Sequence, residues 1–168
     1  MEYAQTDSQT QQLLTTIDYF YNKAPMESRT AFKETEQKLL DFTKSDSAWE
    51  AWFAILKTEG PTIQQLFFAA NTLKTKMLFD FDSLKTQHPD VADKFGEEIL
   101  NLIKVHWVTC RASNVLDSLC LALAMYWVHK DYLFEIDSIL NGNIYEVRCM
   151  FTILKMMSEE GNNDSIVV

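Results

Sequence analysis

The sequence contains little that bends or breaks a chain. Four glycines and three prolines are spread over 168 residues, too few for the many turns of an all-β fold. Cysteine is as scarce. Cys110, Cys120 and Cys149 stand far apart, odd in number, with no CxxC or CxxH spacing. That argues against a zinc site and a disulfide framework and suits a reducing, intracellular compartment. Cys120 and Cys149 lie in apolar helical runs and read as small core residues. No uninterrupted apolar run approaches the ~18 residues needed to span a membrane. The opening "MEYAQTDSQTQQ" lacks the basic and apolar regions of a signal peptide. Positive charge is also in deficit, with 15 basic residues against 24 acidic and a net charge of −9. Such a surface repels nucleic acid and anionic membrane and favours basic partners. Plain solubility explains it as well.

Catalytic patterns are missing too. There is no glycine-rich phosphate loop, no HExxH and no GxSxG nucleophile elbow. The histidines, His88, His106 and His129, are isolated in sequence. Glu97-Glu98 and Asp80-Asp82 are carboxylate pairs, but neighbours one apart on a helix point different ways and Asp80-Asp82 sits where a helix ends, so both read as solvated surface. The expectation is therefore a protein that is not an enzyme and holds no cofactor and no metal.

What is present is apolar surface. Apolar residues make up 47% of the chain, with four Trp and eleven Phe, enough to build a core and to exclude disorder over the whole length. Pro25, Gly60-Pro61, Pro89, Gly142 and Gly161 separate periodic apolar runs, and Gly96 alone falls inside one. Between these marks the periodicity predicts helices and no strand. They run over 8–22, 26–43, from Ser47, over 62–81, from Asp90, over 111–130, after Asp131 and after Asn143. Ser47-Ala48-Trp49-Glu50 is the pattern of a capping box, and Trp49 is expected to be buried as a structural residue. Residues 111–130 are apolar nearly all round, the mark of a helix covered on several sides.

Eight helices with short linkers give an all-α fold of about four antiparallel pairs, 8–44, 46–84, 90–130 and 132–158. A period of about 40 residues matches HEAT-like pairs stacked in a right-handed solenoid. A single closed helical bundle is the rival. Stacking accounts for the two-faced stretch "FFAANTLKTKM". Ile63, Leu66, Phe67, Ala70, Leu73 and Met77 form its main stripe, and Phe67 and Leu73 are expected to be structural. Asn71, Lys74 and Lys76 lie off that stripe, on an expected narrow exposed strip. Lysine stems can cover apolar surface while the ammonium stays wet.

These stretches carry a resemblance. "SAWEAWFAILKTEG", "QQLFFAANTLKTKM", "NVLDSLCLALAMYWVHKDY" and "FTILKMMSEE" resemble, in order, segments from the N-terminal part of importin-β-type nuclear transport receptors, nearest to the transportin-SR branch. The likeness covers most of residues 10–160. Asn71 stands where the family has glutamine, Tyr132 where tryptophan is more usual, and Ser158 where proline is. The resemblance implies a superhelical HEAT array that carries protein cargo through nuclear pores, shuttling between cytoplasm and nucleus. The implied partners are the GTPase Ran in its GTP form, protein cargo and nucleoporins, with no direct contact to nucleic acid or membrane. It places Ran on the inner helices, with Asn71, Lys74, Lys76, Asn114 and Asp117 as candidate contacts. It further implies that the chain is an N-terminal segment of a longer solenoid, whose last helix would leave Phe151, Leu154 and Met157 partly uncovered. The alternatives are a HEAT-like scaffold or adaptor without a GTPase partner and a helical-bundle regulatory subunit.

Overall fold

A computed structural model describes residues 2–110, 112–129, 151, 154, 155 and 158. Among the described residues every regular element is a helix: α1 (Glu2–Asn22), α2 (Ala24–Glu27), α3 (Arg29–Thr43), α4 (Ala48–Lys57), α5 (Ile63–Phe79), α6 (Phe81–Gln87), α7 (Pro89–Ala92), α8 (Phe95–Thr109) and α9 (Ser113–His129). The all-α expectation holds. The chain forms two compact units that divide within α5, after Lys76.

In the first unit, α1 buries Thr10, Leu13 and Ile17, positions spaced three and four apart on one face. The expected helix over 26–43 is two helices. Ser28 is extended (φ −169°, ψ 160°), and its Oγ accepts from the Ala31 amide at 3.0 Å. That is an N-cap, and it ends α2 where α3 begins. Phe20, near the end of α1, stacks on Phe32, in the first turn of α3, with centroids 4.8 Å apart. The end of α1 therefore lies against the start of α3.

α4 buries seven of its ten residues, Trp49 and Trp52 among them. The expected capping box at its start does not form. Ser47 has helical backbone angles (φ −64°, ψ −15°) and no side-chain cap bond; its Oγ lies 3.1 Å from Ser45 Oγ. A cap residue needs a non-helical backbone to aim its oxygen at the first amides, and Ser47 lacks that conformation. The reciprocal box occurs at α5 instead. The Thr62 amide donates to Gln65 Oε1 at 2.7 Å, and the Gln65 amide donates to Thr62 Oγ1 at 3.3 Å. Gln65 Nε2 also donates to the Leu14 carbonyl at 3.0 Å, so one side chain closes a helix start and ties it to α1.

Trp52 is fully buried at the centre of this unit. Phe42 meets it edge-on at 5.5 Å, and Phe68 lies tilted against it at 5.7 Å. Phe68 also meets Phe20 and Tyr21. Aromatic pairs of this kind are worth about 0.5–1.5 kcal/mol each beyond their area. They join α1, α3, α4 and α5.

In the second unit, the stretch expected as a linker before Asp90 is helical. Phe81 and Leu84 are buried on α6, and Pro89 opens α7 as its first residue, where its missing N–H costs nothing. Seven- and four-residue helices are too short to display a 3.6-residue period, which is why the pattern passes over them. The fifth expected helix is accordingly broken: α7 ends at Ala92 and α8 begins at Phe95.

α8 buries Phe95, Ile99, Leu102 and Ile103 and packs along α9. Gly96, in the first turn of α8, lies under the ring of Tyr126, in the last turn of α9. These two helices are antiparallel. A Cβ at position 96 would overlap the ring. Tyr126 Oη donates to the Asp93 carbonyl at 2.9 Å. α9 buries ten residues between Val115 and Tyr126, as its all-round apolar sequence requires. The helices expected after Asp131 and Asn143, with Tyr132, Ile144, Val147, Cys149 and Met157, lie outside the described residues. Phe151 and Leu154 are helical and are 63% and 37% exposed.

Candidate functional site

The opening of α5 by Thr62 and Gln65 sets the helical phase of Asn71, Lys74 and Lys76, all in the first unit. Asn71 and Lys74 are half-buried and meet each other, with Lys74 Nζ donating to Asn71 Oδ1 at 2.7 Å. The pair is one turn apart, and the lysine holds the amide oxygen in place. Thr75 Oγ1 donates to the Asn71 carbonyl at 2.9 Å.

Lys76 does not lie on an exposed strip. It is 2% exposed. Its Nζ donates to the Thr43 carbonyl at 2.9 Å and to the Ser45 carbonyl at 3.3 Å. It also stands 4.9 Å from the centre of the Trp49 ring. The carbonyls belong to the end of α3 and the turn after it, where the helix leaves acceptors without partners. A buried ammonium is tolerable when backbone dipoles and an aromatic face replace its water. Trp49, 4% exposed, supplies that face, and Leu73 is fully buried; Phe67 is half-buried. Sequence periodicity assigns Lys76 to the surface because charge weighs against burial. The exposed carbonyl ends that attract it are not written in a side-chain pattern.

In the second unit, Asn114 and Asp117 are exposed in the first turns of α9. Asn114 Oδ1 lies 3.0 Å from the Val115 amide, so its side chain is turned to the helix start. Asp117 follows three residues later, beyond the first turn of α9. Asn71 and Lys74 are thus organised as a lysine–amide pair, whereas Asn114 and Asp117 are exposed near the start of α9.

Outside these candidates, Tyr19 donates to Glu27. That bond, and the charges of Glu27 and Glu34, push its phenol above the usual tyrosine value. Burial pushes Tyr21 up as well. The sequence takes His129 for an isolated histidine and gives Gln65 no role. The signal for Gln65 was present, since Thr62-Ile63-Gln64-Gln65 is a capping-box pattern after a proline. Among the described residues no group of three His, Cys, Asp or Glu side chains is arranged to hold a metal ion. Among them, no helix is long and apolar enough to cross a membrane.

No family model matches the chain. Two relatives are similar to most of it. An uncharacterized protein of Schizosaccharomyces pombe is 27% identical over 139 residues, covering 77% of this chain. The mRNA transport regulator MTR10 of Saccharomyces cerevisiae is 28% identical over 144 residues, covering 79% of this chain. The chain spans 14% of the length of each.

Proposed function

We propose that this chain is a helical-repeat segment of a nuclear transport receptor, that it works by binding rather than catalysis, and that Ran in its GTP form is its partner. The similarity to mRNA transport regulator MTR10 over 79% of the chain carries the reading. It agrees with the resemblance to importin-β-type receptors, nearest to the transportin-SR branch, drawn from the order of the helix motifs. The antiparallel α8–α9 pair supports a stacked HEAT-like solenoid. Asn71 and Lys74 form the cationic and amide contact to Ran, and Asn114 and Asp117 the acidic one. Lys76 acts behind them by holding the turn that follows α3. Protein cargo and nucleoporins are the further partners, and the protein shuttles between cytoplasm and nucleus.

Capture on the immobilised chain tests this, with Ran loaded with a non-hydrolysable GTP analogue or with GDP. The expected outcome is retention of the GTP form in clear excess. Equal retention of both forms, or of neither, overturns the reading and leaves the HEAT-like scaffold without a GTPase partner.

A further inference from the structure

Three helix ends meet around His129 in the second unit. The ring is the last side chain of α9 and is 20% exposed. Its Nε2 lies 3.1 Å from the Met77 carbonyl, and its Nδ1 lies 3.2 Å from Asp82 Oδ1. The Met77 carbonyl is among the last four of α5, which have no partner within the helix. Asp82 is in the first turn of α6. Lys85, one turn further along α6, donates from Nζ to the His129 carbonyl at 3.2 Å, closing the end of α9. The Phe81 ring packs on the imidazole with centroids 5.3 Å apart.

We propose that His129 is a proton-operated latch that fastens the end of α9 to the α5–α6 junction. Both ring nitrogens face groups that only accept, a carbonyl and a carboxylate. A neutral imidazole has one N–H and one lone pair. It satisfies one of these acceptors and turns a lone pair on the other. The imidazolium satisfies both. Charged and partly charged groups face the ring from three helices. Asp82 is negative, and the C-terminal ends of α5 and α9 both carry partial negative charge. The Lys85 ammonium lies on the far side of the His129 carbonyl. With the proton bound, α9 is pinned to both α5 and α6. When the proton leaves, one of the two bonds is lost and the last turn of α9 is held by Lys85 and apolar packing. Asp82 is 80% exposed, so its carboxylate swings into water once the ring no longer donates to it.

Amide hydrogen exchange of Trp127, Val128 and His129, corrected for the intrinsic effect of pH, tests the latch between about pH 5 and about pH 8, the range in which histidine changes charge. Protection is expected to be greatest at the acid end and to fall about fivefold as the pH rises, the scale of one hydrogen bond. Nitrogen chemical shifts should show both ring nitrogens protonated at the acid end. His129→Gln keeps a donor and an acceptor but does not titrate, and its protection should be flat across the range. Asp82→Asn should reduce the slope while leaving helical content unchanged. Protection independent of pH in the parent chain overturns the proposal, as does an undiminished slope in His129→Gln. If His129→Gln fails to fold, Asp82→Asn decides, and an unaltered slope there overturns it.

Discussion

Lys76 shows how backbone carbonyls can help make a place for a buried charge. Its ammonium meets two carbonyls and one aromatic face. Lys76→Met should fill the same space and leave the Thr43 and Ser45 carbonyls short of this donor, at a cost of about 1–3 kcal/mol. Lys76→Glu should cost more, about 3–5 kcal/mol, because it sets a buried carboxylate against two carbonyl dipoles. Denaturant unfolding of the two variants checks the order. Equal, negligible losses would mean that the ammonium reaches water and does not hold the turn. Tyr19 gives a second prediction at this scale, on pH. Its phenol is held up by the bond to Glu27 and by negative charge around it. The neutral phenol is the favoured form, so the contact is present below the ordinary tyrosine value of about 10 and lost as the pH rises through the raised one. Ultraviolet titration should find this tyrosine ionising late, and Glu27→Gln should bring it back towards the ordinary value.

At the scale of the helix, the two capping patterns make a matched pair. Ser47-Ala48-Trp49-Glu50 has the pattern without the bonds, whereas Thr62-Ile63-Gln64-Gln65 has both bonds. Ser47→Ala should therefore change stability by less than about 0.5 kcal/mol. Thr62→Ala should cost about 1 kcal/mol, and Gln65→Ala more than that, since it also frees the Leu14 carbonyl. Thermal melts of the three variants test the ranking. Gly96 sets a different limit. Alanine is about 1 kcal/mol better than glycine inside a helix, yet its Cβ would overlap the Tyr126 ring. That ring is tethered through its hydroxyl to Asp93 and has little room to yield. Gly96→Ala should thus destabilise, by about 1–3 kcal/mol. The loss should shrink in a Tyr126→Phe background, where the tether is gone, and a double-mutant cycle reads the coupling.

These elements also show what the sequence makes legible. Long amphipathic helices and the burial of most of 115–126 follow from apolar spacing, because burial of that surface is the main driving force. Breaks at Ser28 and Asp93 do not follow from it, since they depend on local backbone angles that apolar spacing does not record. The candidate residues divide the same way. Asn71 and Lys74 sit half-buried near the edge of a periodic stripe, where spacing can find them. Lys76 is decided by carbonyls more than 30 residues away in sequence.

For the whole molecule, the question is whether a chain with net charge −9 binds a protein partner through a chosen cation or through its overall field. Both routes depend on salt, so salt alone does not separate them. Position does. Lys74→Glu and Lys94→Glu alter the net charge equally, but only the first destroys the pair with Asn71; Lys94 is exposed just before α8. Under the proposed reading, Lys74→Glu should weaken binding of Ran in its GTP form at least about tenfold, or about 1.4 kcal/mol. Lys94→Glu should lower the association rate slightly or not at all, as rim charges do. Asn71→Ala should fall between them, since it leaves the ammonium but removes the oxygen that aims it. Helical circular dichroism of each variant separates loss of binding from loss of fold. Lys76 is left unchanged throughout, because reversing a buried ammonium would disturb the turn after α3 and confound the two. Equal weakening by Lys74→Glu and Lys94→Glu would assign the effect to the overall field. No weakening by either would remove α5 from the interface and leave Asn114 and Asp117 on α9 to be tested in the same assay.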